Sequence, residues 1–419
     1  MEAAGFVNAV AVELEPVALR TLEAPANRHR WGAILGEDVH SLLEPDRRRD
    51  RRSARKILAA AGLREGEADL LVGGPPCQPF SKSGYWAKGD AKRLRDPRAR
   101  TLEAYLDVLE DALPAVFLLE NVPGLAFDAK DEGIRYLEDR IAEINWRKKV
   151  HYSFCAAQLN AAEHGVPQLR ERVFVVGHRE GKQLAFPSPR FALPPPVDMA
   201  AGAPALDHCR APKGLRAAAT AWDAIGHLED DPDPRLLPRG KWAPVLGTIP
   251  EGANYLWHTS RGGGLELWGW RTRYWSMLLK LAKNRPSWTL TAQPGPAIGP
   301  FHWKSRRLSA QELARLQTFP ADYEIQGDVR EAHLQLGNAV PSALAEVLGR
   351  AIRAQALRRR GRRSAPHLGA ETPAADPASG ATEGCRRPAP GDPGARLEES
   401  RPPGHRIGPG GSALGLTGR

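Results

Sequence analysis

The sequence predicts an α/β protein: an open, largely parallel sheet flanked by helices, joined to a smaller, irregular second region. Three observations carry this. Apolar runs of strand length, Val7–Leu14, Ala68–Val72 and Ala115–Leu119, alternate with stretches of helical periodicity. Two of these runs lead into Gly- and Pro-containing turns that carry Cys77 and Glu120, and open α/β sheets place their chemistry just past the carboxyl ends of strands. From Phe186 to about Trp288 the rhythm stops, and Pro, Gly, Trp and Arg take over.

The 419 residues suffice for two domains or for one large domain with an insertion. Hydrophobic residues make up 42% of them, yet no run approaches the roughly 18 apolar residues that span a membrane. Met1-Glu2-Ala3-Ala4-Gly5-Phe6 has no basic segment followed by an apolar core, so no secretory signal is expected and a soluble intracellular protein is the default. Cys77, Cys155, Cys209 and Cys385 are scattered without ligand spacing, which predicts neither a metal site nor a disulfide framework. The formal charge of +10 is compatible with a polyanionic partner. About half of it sits beyond Arg358 in a segment rich in Pro, Gly, Arg, Ala and Ser, which reads as a disordered tail, so net charge alone argues little for nucleic acid.

Val7–Leu14 reads as a strand that delivers Glu13 to its carboxyl end, and Pro16 suits the first position of a helix over Val17–Glu23. An acid so placed accepts ribose hydroxyls in nucleotide-type α/β folds, although spacing alone fits a solvated loop acid better. Gly36-Glu37-Asp38-Val39 fits the end of a third strand and puts Asp38 near a cofactor, whereas Leu43–Leu63 reads as Arg-rich helix without a sheet pattern.

In Gly73-Gly74-Pro75-Pro76-Cys77-Gln78-Pro79-Phe80-Ser81, three prolines fix φ around the cysteine and two glycines let the backbone approach a ligand. Such a loop can aim a thiol, although a buried structural cysteine would also satisfy the pattern. Ser81–Arg100 is polar and basic and reads as a solvated loop able to close over a nucleic-acid backbone. Thr101–Leu113 is an amphipathic helix with Leu102, Leu106, Leu109 and Leu113 on one face. The strand Ala115–Leu119 then ends at Glu120, whose carboxyl should be partly desolvated and so raised in pKa, suited to hold a proton near neutral pH. In a parallel sheet the thiol and this acid are neighbours.

Gly133–Trp146 is a further helix, and Val150–Ala157 and Arg172–Gly177 are strands. Alternation in Gln168-x-Arg170-x-Arg172 puts the three side chains on one face, where two guanidiniums suit a carboxylate, a phosphate or a base carbonyl. Trp242, Trp257, Trp268, Trp270 and Trp275 interleave with Arg261, Arg271 and Arg273; this fits a nucleic-acid surface, and equally a small aromatic core. Ser309 caps a helix within Ser305–Phe319, and Leu336-Gly337-Asn338-Ala339-Val340-Pro341 opens the last helix, Ser342–Leu357.

Taken in order, Gly73–Ser81, Glu120-Asn121-Val122, Gln168-x-Arg170-x-Arg172, the segment Arg307–Pro320 and Gly337–Pro341 resemble the motif series of cytosine-5 DNA methyltransferases over residues 3–355. The resemblance implies a Rossmann-like class I methyltransferase domain whose first strand is missing, with an irregular target-recognition domain. Its implied boundaries are 1–178 for the catalytic domain, 179–295 for target recognition, 296–357 for motifs returning to the catalytic domain, and 358–419 for the tail. It makes Cys77 the nucleophile that adds to carbon-6 of a flipped cytosine and Glu120 the acid at ring nitrogen-3. Arg172 falls where the family holds the cytosine carbonyl oxygen, with Arg170 its partner.

The methyl donor implied is S-adenosylmethionine, with no metal. Glu13 would hold the ribose, Leu14, Asp38 and Val39 the adenine, and Pro76, Asn338 and Ala339 the remaining walls. Implied partners are double-stranded DNA and a cognate restriction endonuclease; a monomer in the bacterial cytoplasm or nucleoid, without membrane contact, is expected. The family's glycine-rich F-x-G-x-G-G turn has no counterpart, and Met1–Phe6 resembles the end of the helix that follows it. That departure leaves a truncated remnant that only binds DNA as a rival reading, and an RNA cytosine-5 methyltransferase shares the same chemistry.

Overall fold

The computed structural model describes residues 1–46, 51–75, 100–123, 132–202, 212–230, 233–270 and 274–357. In chain order its site-forming elements are β1 (Asn8–Val12), α1 (Pro16–Glu23), β2 (Trp31–Leu35), β3 (Glu44–Asp46), β4 (Arg51–Ser53), α2 (Arg55–Ala61) and β5 (Leu70–Gly73). There follow α3 (Arg100–Ala112), β6 (Val116–Asn121), α4 (Glu132–Lys148), β7 (Ser153–Asn160), β8 (Gln168–Leu169) and β9 (Glu171–His178). After the irregular region come β10 (Ser287–Trp288), α5 (Ala310–Leu316), α6 (Val329–Asn338) and α7 (Ser342–Ala356).

The apolar run after Leu113 becomes the central strand. Alternation divides β6 between two layers: Phe117 and Leu119 face Leu102, Leu106 and Leu109 of α3 and Leu137, Ile141 and Ile144 of α4. Val116 and Leu118 face the opposite layer with Leu344, Leu348 and Ile352 of α7. All four β6 residues are at most 2% exposed. Gly177 lies opposite Phe117 in β9, and a Cβ there would come within 2.1 Å of the ring, so only glycine leaves room for it. Phe117→Ala should therefore destabilise the protein by about 3–5 kcal/mol, because a buried aromatic leaves a cavity on a sheet that cannot collapse. Denaturant unfolding measures it.

The main sheet has the order β5-β6-β9-β7. β5 and β6 are parallel, with Gly73 opposite Leu119, as the sequence led us to expect. β9 runs antiparallel to both neighbours, so the sheet is mixed; the short connection from Asn160 to Glu171 leaves no room for the crossover that parallel strands need. β1 and β2 pair in parallel, Val12 opposite Leu35, in a separate two-stranded sheet among the described residues. The expectation of helix over Leu43–Leu63 is corrected: β3 and β4 pair antiparallel there, and among the described residues of that stretch helix is confined to Arg55–Ala61. Charged strands give no apolar alternation to read. The hairpin is instead anchored from a distance, Asp111 of α3 accepting from Ser53 Oγ at 2.9 Å and Ala54 N at 2.7 Å.

In the irregular region most tryptophans are half-buried against a small core. Trp242, Trp257, Trp268 and Trp270 pack against Leu246, Ile249, Tyr255, Leu278 and Phe301, whereas Trp275 is 47% exposed. Arg261 stacks over Trp270 at 4.5 Å; Arg271 and Arg273 lie outside the described residues. Two buried histidines lie in the segment that returns from this region. Burial and then Arg306 push His302 down to about 3, and burial and then Arg307 push His333 down to about 4. Both are neutral when folded and protonate in the unfolded chain below its value of about 6.5. Their contribution to stability is whole above that pH and is lost as pH falls toward the folded values. Melting temperature should accordingly drop between about pH 6.5 and 4, and a flat profile there would contradict the assignment.

Candidate active site

Parallel pairing brings the ends of β5 and β6 side by side. The described backbone of the turn after β5 stops at Pro75, so Cys77 and Pro76 lie outside the described residues. Glu120, at the end of β6, has its side chain 14% exposed, and its Oε1 lies 3.0 Å from Arg172 Nε. Burial raises its pKa, while Arg172 and then Arg170 pull it back. A Cβ on Gly74 would sit 3.1 Å from Glu120 Oε2, so the glycine lets the turn pass close to the carboxylate.

The two arginines differ although they alternate on one segment. Arg172 keeps its guanidinium beside Glu120 and donates from Nη1 to the Glu171 carbonyl at 2.7 Å. Arg170 is 1% exposed and donates to the carbonyls of Gly337 at 2.9 Å and Leu290 at 3.4 Å. Burial, then repulsion from Arg172, lowers it to about 9, still protonated at neutral pH. Its Nε has no hydrogen-bond partner among the described residues. Two cations beside a desolvated carboxylate make a site that can hold a flat polar ring by its carbonyl oxygen and pass a proton to its nitrogen.

One cavity of about 2940 Å³ is lined by Glu120, Arg170 and Arg172, and also by Glu13, Leu14, Asp38, Val39 and Asn338. Glu13 Oε1 accepts from Glu15 N at 2.8 Å. Asp38 Oδ1 accepts from His40 N at 2.9 Å, capping the short helix Val39–Leu42. Asp38 thus caps a helix beyond β2, which ends at Leu35, and does not end a strand as expected; it and Glu13 suit an exocyclic amine and ribose hydroxyls, and exposed Leu14 offers an apolar wall, so the residues fit a nucleoside-bearing cofactor. Ala339 is not part of that lining; its carbonyl lies 3.5 Å from Gln317 Nε2. The sequence reading did not single out Gln317, whose only signal was its place inside Leu316-Gln317-Thr318-Phe319-Pro320. Cys155 is buried, its Sγ 3.1 Å from the Leu184 carbonyl, and belongs to the core.

The pattern of residues 1–354 matches the family model described as C-5 cytosine-specific DNA methylase. The chain is 38% identical to type II methyltransferase M.SacI of Streptomyces achromogenes over 83% of its length and 84% of that protein. It is 31% identical to type II methyltransferase M.MthTI of Methanothermobacter thermautotrophicus over 68% and 78%. A solved structure described as a DNA modification methyltransferase encoded within an E. coli prophage shares the fold, with a TM-score of 0.52, 20% identity, and coverage of 84% of this chain and 94% of that one.

Proposed function

Because the chain belongs to the C-5 cytosine-specific DNA methylase family, and is by that membership a DNA (cytosine-5-)-methyltransferase, we propose that it is the modification enzyme of a type II restriction-modification system. Likeness to the type II methyltransferases supports the system. The observation that carries the chemistry is a desolvated Glu120 ion-paired with Arg172 on the strand beside the one leading to Cys77.

Cys77, as thiolate, forms a bond from sulfur to carbon-6 of a cytosine turned out of the duplex, which a stacked base could not allow. Glu120 holds a proton at ring nitrogen-3 and so draws the ring electrons that make carbon-6 electrophilic and then carbon-5 nucleophilic. Arg172 takes the carbonyl oxygen, and Arg170 stiffens the same wall. S-adenosylmethionine, the donor that the family implies, supplies when bound an electrophilic methyl group. After transfer a base removes the carbon-5 proton, the carbon-6–sulfur bond breaks with its electron pair returning to sulfur, the nitrogen-3 proton goes back to Glu120, and Cys77 is regenerated as thiolate. Glu13, Leu14, Asp38, Val39, Pro76 and Asn338 are the proposed cofactor residues, Ala339 standing outside the cavity lining, and residues 179–295 the proposed reader of the DNA sequence.

Removing Arg172 takes away the strongest pull on Glu120. In Arg172→Gln the Glu120 carboxyl should therefore titrate at higher pH than in the parent, as followed by carbon-13 NMR of labelled glutamate. An unmoved titration would break the assigned pairing. DNA against RNA as substrate is tested by labelled methyl transfer to duplex DNA and to transfer RNA; transfer to RNA alone would overturn the reading.

The finer reading of the fold is that the sheet lacks the family's first strand and its glycine-rich turn between β1 and β5. In its support, β1 and β5 each pair on one side only among the described residues, and both line the same cavity. At about 2940 Å³ it is several times the roughly 300–1,000 Å³ of an ordinary ligand pocket.

A further inference from the structure

The last carbonyls of a helix have no intrahelical donors. At the end of α6 two side chains supply them. Arg170 Nη2 donates to the Gly337 carbonyl at 2.9 Å. The Gln317 amide donates to the carbonyl of Leu336 and lies 3.5 Å from that of Ala339. Asn338, exposed and lining the cavity, is thus the residue whose flanking backbone is gripped on both sides. A cation at a helix carboxyl end is also favoured by the helix dipole.

The other end of the Gln317 amide reaches the catalytic segment: its Oε1 accepts from Gln168 Nε2 at 3.2 Å. Gln168 Oε1 accepts in turn from Leu290 N at 3.1 Å. Both glutamines are fully buried, so neither amide can exchange these partners for water. The backbone beside Gln317 caps α7: its carbonyl accepts from Ser342 N at 3.1 Å, and Thr318 Oγ1, on a residue with φ 57°, accepts from Ala343 N at 2.9 Å. The Gln317 side chain thus joins β8, two residues before Arg170, to the end of α6, while Gln168 ties in the return from the recognition region and the Gln317–Thr318 pair the start of α7.

We propose that Gln317 is a positioning residue that locks the Asn338 wall of the cofactor cavity to the Arg170–Arg172 wall of the base pocket, so that binding of methyl donor and binding of DNA strengthen each other. The inference rests on the reading given under Proposed function. Any such coupling is reciprocal, and loss of the link should abolish it without abolishing either site.

The test is the dissociation constant of S-adenosylmethionine, measured by calorimetry with and without duplex DNA, in a Cys77→Ser background that prevents turnover. The expected result is at least an approximately fivefold tightening by DNA in the Gln317 parent, falling to under about twofold in Gln317→Met, with DNA affinity alone changing little. Gln168→Met removes the same link from the strand side and should reproduce the loss, which keeps the test open if one variant folds poorly. Retained coupling in both variants, or no coupling in the parent, would overturn the role of Gln317. No S-adenosylmethionine binding by the parent would overturn the donor reading itself, and this inference with it.

Discussion

Cys77→Ser is expected to lower methyl transfer by more than about 10³-fold while the protein stays folded and still binds DNA. A serine hydroxyl is far less ionised than a thiol near neutral pH and is the poorer nucleophile, so the bond to carbon-6 does not form. Measured transfer from labelled S-adenosylmethionine, with a melting curve alongside, separates loss of chemistry from loss of fold. Residual activity within tenfold of the parent would remove Cys77 from the mechanism.

Glu120→Gln is expected to reduce kcat by about 10²–10⁴-fold. The amide keeps the shape of the carboxyl but cannot hold an exchangeable proton at ring nitrogen-3, and it leaves Arg172 without its charged partner at 3.0 Å. The same variant has a signature in stability. Burial raises the Glu120 pKa in the folded protein, so the stability associated with this group is present below its unfolded value of about 4.5 and is lost as pH rises through the folded value. In Glu120→Gln that part of the pH dependence should vanish. A kcat that falls less than tenfold would contradict the acid role, whatever the stability profile shows.

Much of this site is legible in the sequence because it depends on local pattern. Five apolar residues before Glu120 predict a strand that desolvates its terminal carboxylate, and the structure gives both the strand and the raised pKa. The apolar spacing of Leu102, Leu106, Leu109 and Leu113 predicts α3, and all four are buried. What escaped reading depends on contacts far along the chain. The β3–β4 hairpin is charged and is held by Asp111, more than fifty residues away. Helix α6 was not anticipated, although Asp328 and Glu331 form a capping box at its start; its interior is too polar to announce a buried face.

Arg170 and Arg172 read alike from their spacing. Only the carbonyls of Leu290 and Gly337, brought in from distant segments, turn Arg170 into a buried brace and leave Arg172 to face Glu120. The tryptophans were equivocal for the same reason, since composition cannot tell a ring that fills a core from one that faces a partner. Trp268, with Trp242 at 5.0 Å and Tyr255 at 5.8 Å, is half-buried against the core.

The central claim is that this chain methylates carbon-5 of cytosine in DNA through Cys77. It is tested most directly by incubating the protein with duplex DNA and S-adenosylmethionine labelled in its methyl group, digesting the DNA to nucleosides and identifying the labelled one. The account predicts label in 5-methylcytosine with the parent protein and none with Cys77→Ser. Label on an exocyclic amine of cytosine or adenine, or equal labelling by the Cys77→Ser variant, would contradict it.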